Sequence, residues 1–302
     1  MLKALGFKHF AYDGQDTDVR KFDQEIEALK RHGVNLLAWW FPLDADDPKA
    51  KAILETFRHH DVHPQLWVAL PPANFPKTLQ DWAALLPSGM PIVKNAPELE
   101  KLSKSDKENF LKEMYGAIAR LNKQTLTKTP QEQSQRIRQE ANRIHSLIKL
   151  AAPYKCKVAL YNDNGWFGMM ENQVAIIERL QKLGVNDVGI VYNFSHARDE
   201  LHDDTVNFLS IWQQIKPYVV AVNITGIYWE GSFIYPSQGD CELEMMRTIV
   251  ESGWKGSIGL IAEKGGDAEV TLRNYLIGLD WLTAELVEPG SGGPPPFPPI
   301  RR

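Results

Sequence analysis

The chain is 302 residues long, with 43% hydrophobic residues, 24% charged residues and a formal net charge of −4. That length suits one large α/β barrel as readily as two small domains, and the charge balance leaves no basic footprint for nucleic acid. No apolar run reaches the roughly 18 residues of a membrane span, and the first residues lack a signal-peptide layout. The expectation is a soluble chain without an address, cytoplasmic by default, with export the alternative if residues precede Met1. Cys156 and Cys241 have neither a CxxC partner nor zinc spacing, so they suggest no disulfide framework and no structural metal knuckle.

"MLKALG" (1–6) reads as the end of a helix. "FKHFAYD" (7–13) then reads as a strand, and "FDQEIEALKRHG" (22–33) as a helix with Phe22, Ile26 and Leu29 on one face and a stop at Gly33. Six more runs, 34–41, 64–70, 158–162, 188–194, 219–224 and 257–263, are almost continuously apolar, as strands buried on both faces of a parallel sheet require. Helical stripes fill 171–184, 204–215, 241–253 and 267–282. Sustained strand–helix alternation predicts a (β/α)8 TIM barrel over residues 1–287. Seven strands are legible where eight close a barrel, so two expectations stand: the first strand lies upstream of Met1, or the barrel closes imperfectly. Residues 71–130 break the rhythm and read as an insertion over one face, part loop and part helix, with a clear helix only from about Glu132. The Pro- and Gly-rich tail, 288–302, is expected to be extended and to hug the surface or the solvent.

In such a barrel the chemistry lies at the C-terminal strand ends. Those ends carry Tyr12-Asp13, Trp39-Trp40, Trp67, Tyr161-Asn162-Asp163, Asn193 with Ser195, His196 and Arg198, then Asn223, then Glu263-Lys264. Indole faces stack on sugar rings, and amides, carboxylates and imidazoles pair with hydroxyls, so this rim suits a polyhydroxylated ligand. Ordinary core packing competes with that role for each Trp. Asp240 before "CELEMM" reads as a helix cap, and no P-loop or dinucleotide fingerprint is present, so no nucleotide cofactor is expected. His59 and His60 fall late in a helix pattern, where cations favour the dipole, and read as outside any metal site.

"KVALYNDNGWFGMMENQVAIIERL", "VGIVYNFSHARDE", "VVAVNITGI" and "GWKGSIGLIAEKGGDAEVTLRNYLIGLDWL" resemble, in order and spacing, the xylose-isomerase-like sugar phosphate isomerase/epimerase barrels. "LGFKHFAYD" and "GVNLLAWWFP" look like the early part of one bacterial branch. The resemblance implies a divalent metal held by Glu, Asp, His and Glu, and proton transfer between adjacent sugar carbons. Carried over position by position, the first Glu falls on Tyr161, the Asp of Asp-x-x-His on Asn193 with its His kept as His196, the later His on Asn223, and the last Glu at or near Leu260 to Glu263. The branch also implies His where this chain has Asp163, Ser195 and Arg198.

Neutral phenol and amide oxygens are poor substitutes for carboxylates around a divalent cation. What is left is a depleted set, Asp163, His196 and Glu263, either as metal ligands or as a metal-free general base and acid pair. The expectation is a sugar or keto-sugar isomerase or epimerase with an altered or lost metal site, binding a small carbohydrate through Trp39, Trp67, Tyr161, Asn162, Asn193, Arg198 and Asn223. The alternative is a non-catalytic carbohydrate-binding or regulatory barrel. A metal-dependent endonuclease-type hydrolase shares this barrel, but the charge and the substituted ligands speak against it. Nothing in the sequence sets an oligomeric state.

Overall fold

Each of the seven apolar runs forms a strand: β1 (His9–Tyr12), β2 (Asn35–Trp40), β3 (Gln65–Val68), β4 (Val158–Tyr161), β5 (Val188–Asn193), β6 (Val219–Ile224) and β7 (Ser257–Leu260). The computed structural model describes residues 1–13, 18, 21–70, 75–76, 78–91, 93, 98, 101–163, 165–197, 201, 206–227, 234–239, 241–261 and 267–298. All six pairings are parallel and the strands lie side by side in chain order, β1 to β7. Right-handed crossovers that always step to the next strand curl such a sheet in one direction. The result is an α/β TIM barrel of seven strands, with β1 and β7 as its edges among the described residues.

The helices named among the described residues are α1 (Phe22–Arg31), α2 (Pro48–His60), α3 (Leu79–Leu85), α4 (Lys104–Thr125), α5 (Pro130–Ala151), a single turn α6 (Gly165–Gly168), α7 (Met170–Gln181), α8 (Val206–Ile215), α9 (Glu242–Glu251) and α10 (Ala268–Val287). Alternation along the strands splits the apolar residues between two cores. The outer one packs Trp39, Ile190, Tyr192 and Val222 against helix residues such as Phe57, Phe208 and Trp212. Inside the barrel, Ala38, Ala159 and Ala221 leave room for the large Trp67 and Tyr161 rings. The initial "MLKALG" is a short 3₁₀ turn, Leu2–Leu5, closed by a left-handed Gly6.

The insertion holds more helix than its Lys- and Ser-rich composition suggests. Ser103 caps the 22-residue α4 by accepting the Asp106 N–H, and Thr129 caps α5 in the same way with Pro130 in its first turn. Both helices grip the turn after β4. Thr125 Oγ1 accepts the Trp166 N–H at 2.8 Å, Gln133 Oε1 accepts the indole N–H at 2.6 Å, and the Arg136 guanidinium lies 4.5 Å over the Trp166 ring. The tail lies against the surface, with Phe297 beside Tyr235 and Gly293 O accepting from the Trp281 indole.

Both cysteines are buried, and burial pushes the Cys156 thiol up to about 12, so it stays a neutral, unreactive group. No helix among the described residues is long and apolar enough to cross a membrane. The cap expected at Asp240 lies outside the described residues; the residue at the cap position of α9 is Cys241, which makes no side-chain cap bond. Glu242 organises this corner instead. Its buried carboxylate accepts backbone N–H groups of Ser237 at 3.0 Å, Gly239 at 2.8 Å and Ile227 at 3.4 Å, while burial raises its pKa and these donors pull it back. A carboxamide cannot accept with both terminal atoms. Glu242→Gln should therefore cost about 1–3 kcal/mol in chemical denaturation, the range for orphaned buried donors.

Candidate active site

The inner-face residues at the ends of β2 to β6 meet at one mouth. Trp40 and Trp67 cross edge to face at 4.7 Å, Trp67 stacks with Tyr161 at 5.9 Å, and the His196 ring sits edge-on to Tyr161 at 5.9 Å. Asp163 Oδ1 lies 3.7 Å from His196 Nε2, with both side chains about a quarter exposed. An aromatic floor thus carries an acid–imidazole pair at its solvent edge.

Asn193 ties these parts together. Its amide Nδ2 donates to the Tyr161 hydroxyl at 2.6 Å, and its Oδ1 accepts the Ser195 N–H at 3.1 Å, capping the short turn Phe194–His196 that presents the imidazole. Asn162 holds the backbone of Asn193 from the neighbouring strand: Asn193 N–H donates to Asn162 Oδ1 at 2.6 Å, and Asn162 Nδ2 donates to Asn193 O at 3.1 Å. Burial raises the Tyr161 phenol pKa far above its ordinary value, so it is a neutral hydroxyl. On β6, Asn223 pairs in register with Asn193, and its amide faces the same phenol. Asn223 Nδ2 and Ser195 Oγ are buried without a hydrogen-bond partner among the described residues. Such groups usually find one, and a hydroxyl-rich ligand would supply it.

Two roles expected from the sequence change. Trp39 points to the other face of β2, fully buried and stacked on Tyr12 at 4.3 Å with Phe22 and Phe57 edge-on. Consecutive strand residues face opposite ways, so Trp40 lines the mouth and Trp39 fills the outer core. Asn162 is occupied with the Asn193 backbone and acts as a clamp between strands. Arg198, Glu263 and Lys264 lie outside the described residues.

Three supporting residues escaped the sequence reading. Gln173 on α7 donates from Nε2 to Tyr161 O at 3.0 Å and Phe167 O at 3.1 Å, holding the end of β4. Gly259 on β7 sits beside Asn223, where an added Cβ would come within 2.7 Å of the amide oxygen. Gly168 lets the Asp163 peptide approach so closely that a Cβ there would lie 1.3 Å from Asp163 O. The one local signal is the glycine pair in "GWFG". A separate cavity of about 390 Å³, lined in part by His9, His63, Lys155 and Lys157, opens at the opposite end of the strands and contains none of these groups.

The architecture matches solved structures. D-psicose 3-epimerase from Clostridium cellulolyticum H10, crystallised with D-tagatose, aligns with a TM-score of 0.54 at 12% identity, covering 94% of this chain and 91% of that one. A xylose isomerase-like TIM barrel protein from Mycobacterium smegmatis in complex with magnesium aligns at 0.53 and 14%, covering 94% and 87%. The IOLI protein with a bound zinc atom aligns at 0.55 and 14%, covering 95% and 90%. No family model and no curated protein matches the chain by sequence. The chain therefore has the fold of the xylose-isomerase-like TIM barrels, the fold of these solved structures.

Gly168→Ala should push the Asp163 peptide away and break the pair with His196, destabilising the fold by about 1–3 kcal/mol, as overpacking does. A crystal structure of the variant reads the separation, and denaturation reads the cost.

Proposed function

We propose that this mouth binds a sugar or keto-sugar and that Asp163 and His196 move a proton next to its carbonyl, with no tightly held metal. The observation that carries the reading is the 3.7 Å Asp163–His196 pair standing on an aromatic floor beside unpartnered polar groups. The Asp163 carboxylate takes the proton from the carbon adjacent to the carbonyl, and the electron pair moves toward oxygen. Protonated His196 delivers a proton to that oxygen, giving an enediol. Protonation of the former carbonyl carbon, with the other enediol hydroxyl giving its proton to His196, isomerises the sugar; protonation of the opposite face of the first carbon, with the original oxygen returning its proton to His196, epimerises it. Glu263 remains the third candidate base, and Arg198 a further binding group. Trp40 takes the place expected of Trp39, with Trp67 as its partner under the sugar ring.

Neighbours of this fold hold magnesium or zinc, but the groups at the corresponding strand ends fit such an ion poorly. Tyr161 is held neutral, Asn193 Oδ1 already accepts a backbone N–H, and Asn193 Nδ2 donates to the phenol oxygen. A donor N–H occupies the phenol oxygen whose lone pairs an ion would need. The same neutrality favours a second reading, a carbohydrate-binding barrel without chemistry.

A sugar panel screened by thermal shift, followed by NMR of solvent deuterium entering the bound sugar, separates the two. Exchange in the native chain that is lost in Asp163→Asn with binding retained supports the enzyme. Binding without exchange supports the binder, and no response to any sugar overturns both. His196→Ala should weaken binding or turnover about tenfold or more, since a hydrogen bond to a charged group is worth about 1.5–3 kcal/mol.

A further inference from the structure

On the outside of the barrel, α1 and α2 meet through polar groups that the sugar site does not use. Asp23 stands in the first turn of α1, and His59 and His60 form the last turn of α2. His60 is buried, and its Nε2 lies 2.9 Å from Asp23 Oδ1; Lys30 further along α1 donates to the His60 carbonyl. His59 is exposed, and its ring crosses that of His60 at 5.1 Å and 86°. One ligand atom from each of Asp23, His59 and His60 lies within 4.8 Å of the other two.

We propose that Asp23, His59 and His60 form a binding site for a zinc-class divalent ion that bridges α1 and α2. Zinc bonds of about 2.0–2.2 Å in a tetrahedron set neighbouring ligand atoms about 3.3 Å apart. The His60–Asp23 separation is already close to that. Only His59 and the half-exposed Asp23 need to move, and both have solvent around them. The ion takes the place of the proton shared by His60 Nε2 and Asp23 Oδ1, and that proton leaves to solvent. Two imidazoles with one carboxylate suit zinc, cobalt or nickel better than magnesium or calcium, which prefer all-oxygen shells. The carbonyl end of α2 adds a favourable dipole that offsets the nearby Lys30 ammonium. Three protein ligands leave a position for water, so the site would clamp the two helices while keeping an open coordination place.

Zinc titration of the metal-free full chain tests this by calorimetry and melting, with cobalt absorption reporting the coordination geometry. The expected result is one zinc per chain, a raised melting temperature and no effect of magnesium. His59→Ala and Asp23→Asn change exposed side chains, so the fold should survive, and each should weaken zinc at least tenfold. Asp163→Asn at the barrel mouth should leave the affinity unchanged. Stoichiometric zinc that survives both outer variants, or that is lost in Asp163→Asn, would overturn the proposal, as would the absence of any zinc-dependent shift.

Discussion

Everything at the mouth depends on how Asn193 is held. Its backbone is locked by the Asn162 amide on β4, and its side chain reaches both the Tyr161 phenol and the turn that carries His196. In a parallel sheet the ladder ends where the strands end, and the loops beyond have no backbone partners of their own. Side-chain amides extend the ladder by one residue here. That extension sets the position of His196 relative to Asp163, because Asp163 lies two residues beyond the end of β4 and its own peptide is pinned by the close approach of Gly168.

The inner face shows why aromatic rings gather at this end. Alanines at Ala11, Ala38, Ala69, Ala159 and Ala221 leave the barrel axis under-filled, and Trp40, Trp67 and Tyr161 fill it by crossing over one another. Trp67 is fixed further by donating its indole N–H to Gln65 Oε1 at 3.0 Å, two residues down the same face. Rings locked in this way form a rigid apolar floor.

The helices between β3 and β4 support the candidate site. Thr125, Gln133 and Arg136 all engage Trp166, three residues after Asp163. The loop that carries the candidate base is therefore fixed from above by α4 and α5 and from below by Gln173, and its geometry is inherited from residues far away in the chain.

Apolar runs were enough to place all seven strands, because burial on both faces of a parallel sheet writes itself into composition, and helical stripes placed most of the helices between them, but not α3 or the 22-residue α4, whose Lys- and Ser-rich sequence hides its helical period. The strand-end rule likewise pointed to Tyr161, Asn193, Asn223, Asp163 and His196. Sequence could not say which of two adjacent tryptophans faces inward: Trp39 and Trp40 are chemically alike, and the choice depends on register with β1 and β3. Nor could it show that Asn162 clamps a neighbouring strand, that Gly168 yields to a carbonyl, or that Asp23 meets His60 across 37 residues of chain. The linear order carries the period of each element; contacts between elements exist only once the sheet has curled and the helices have packed against it.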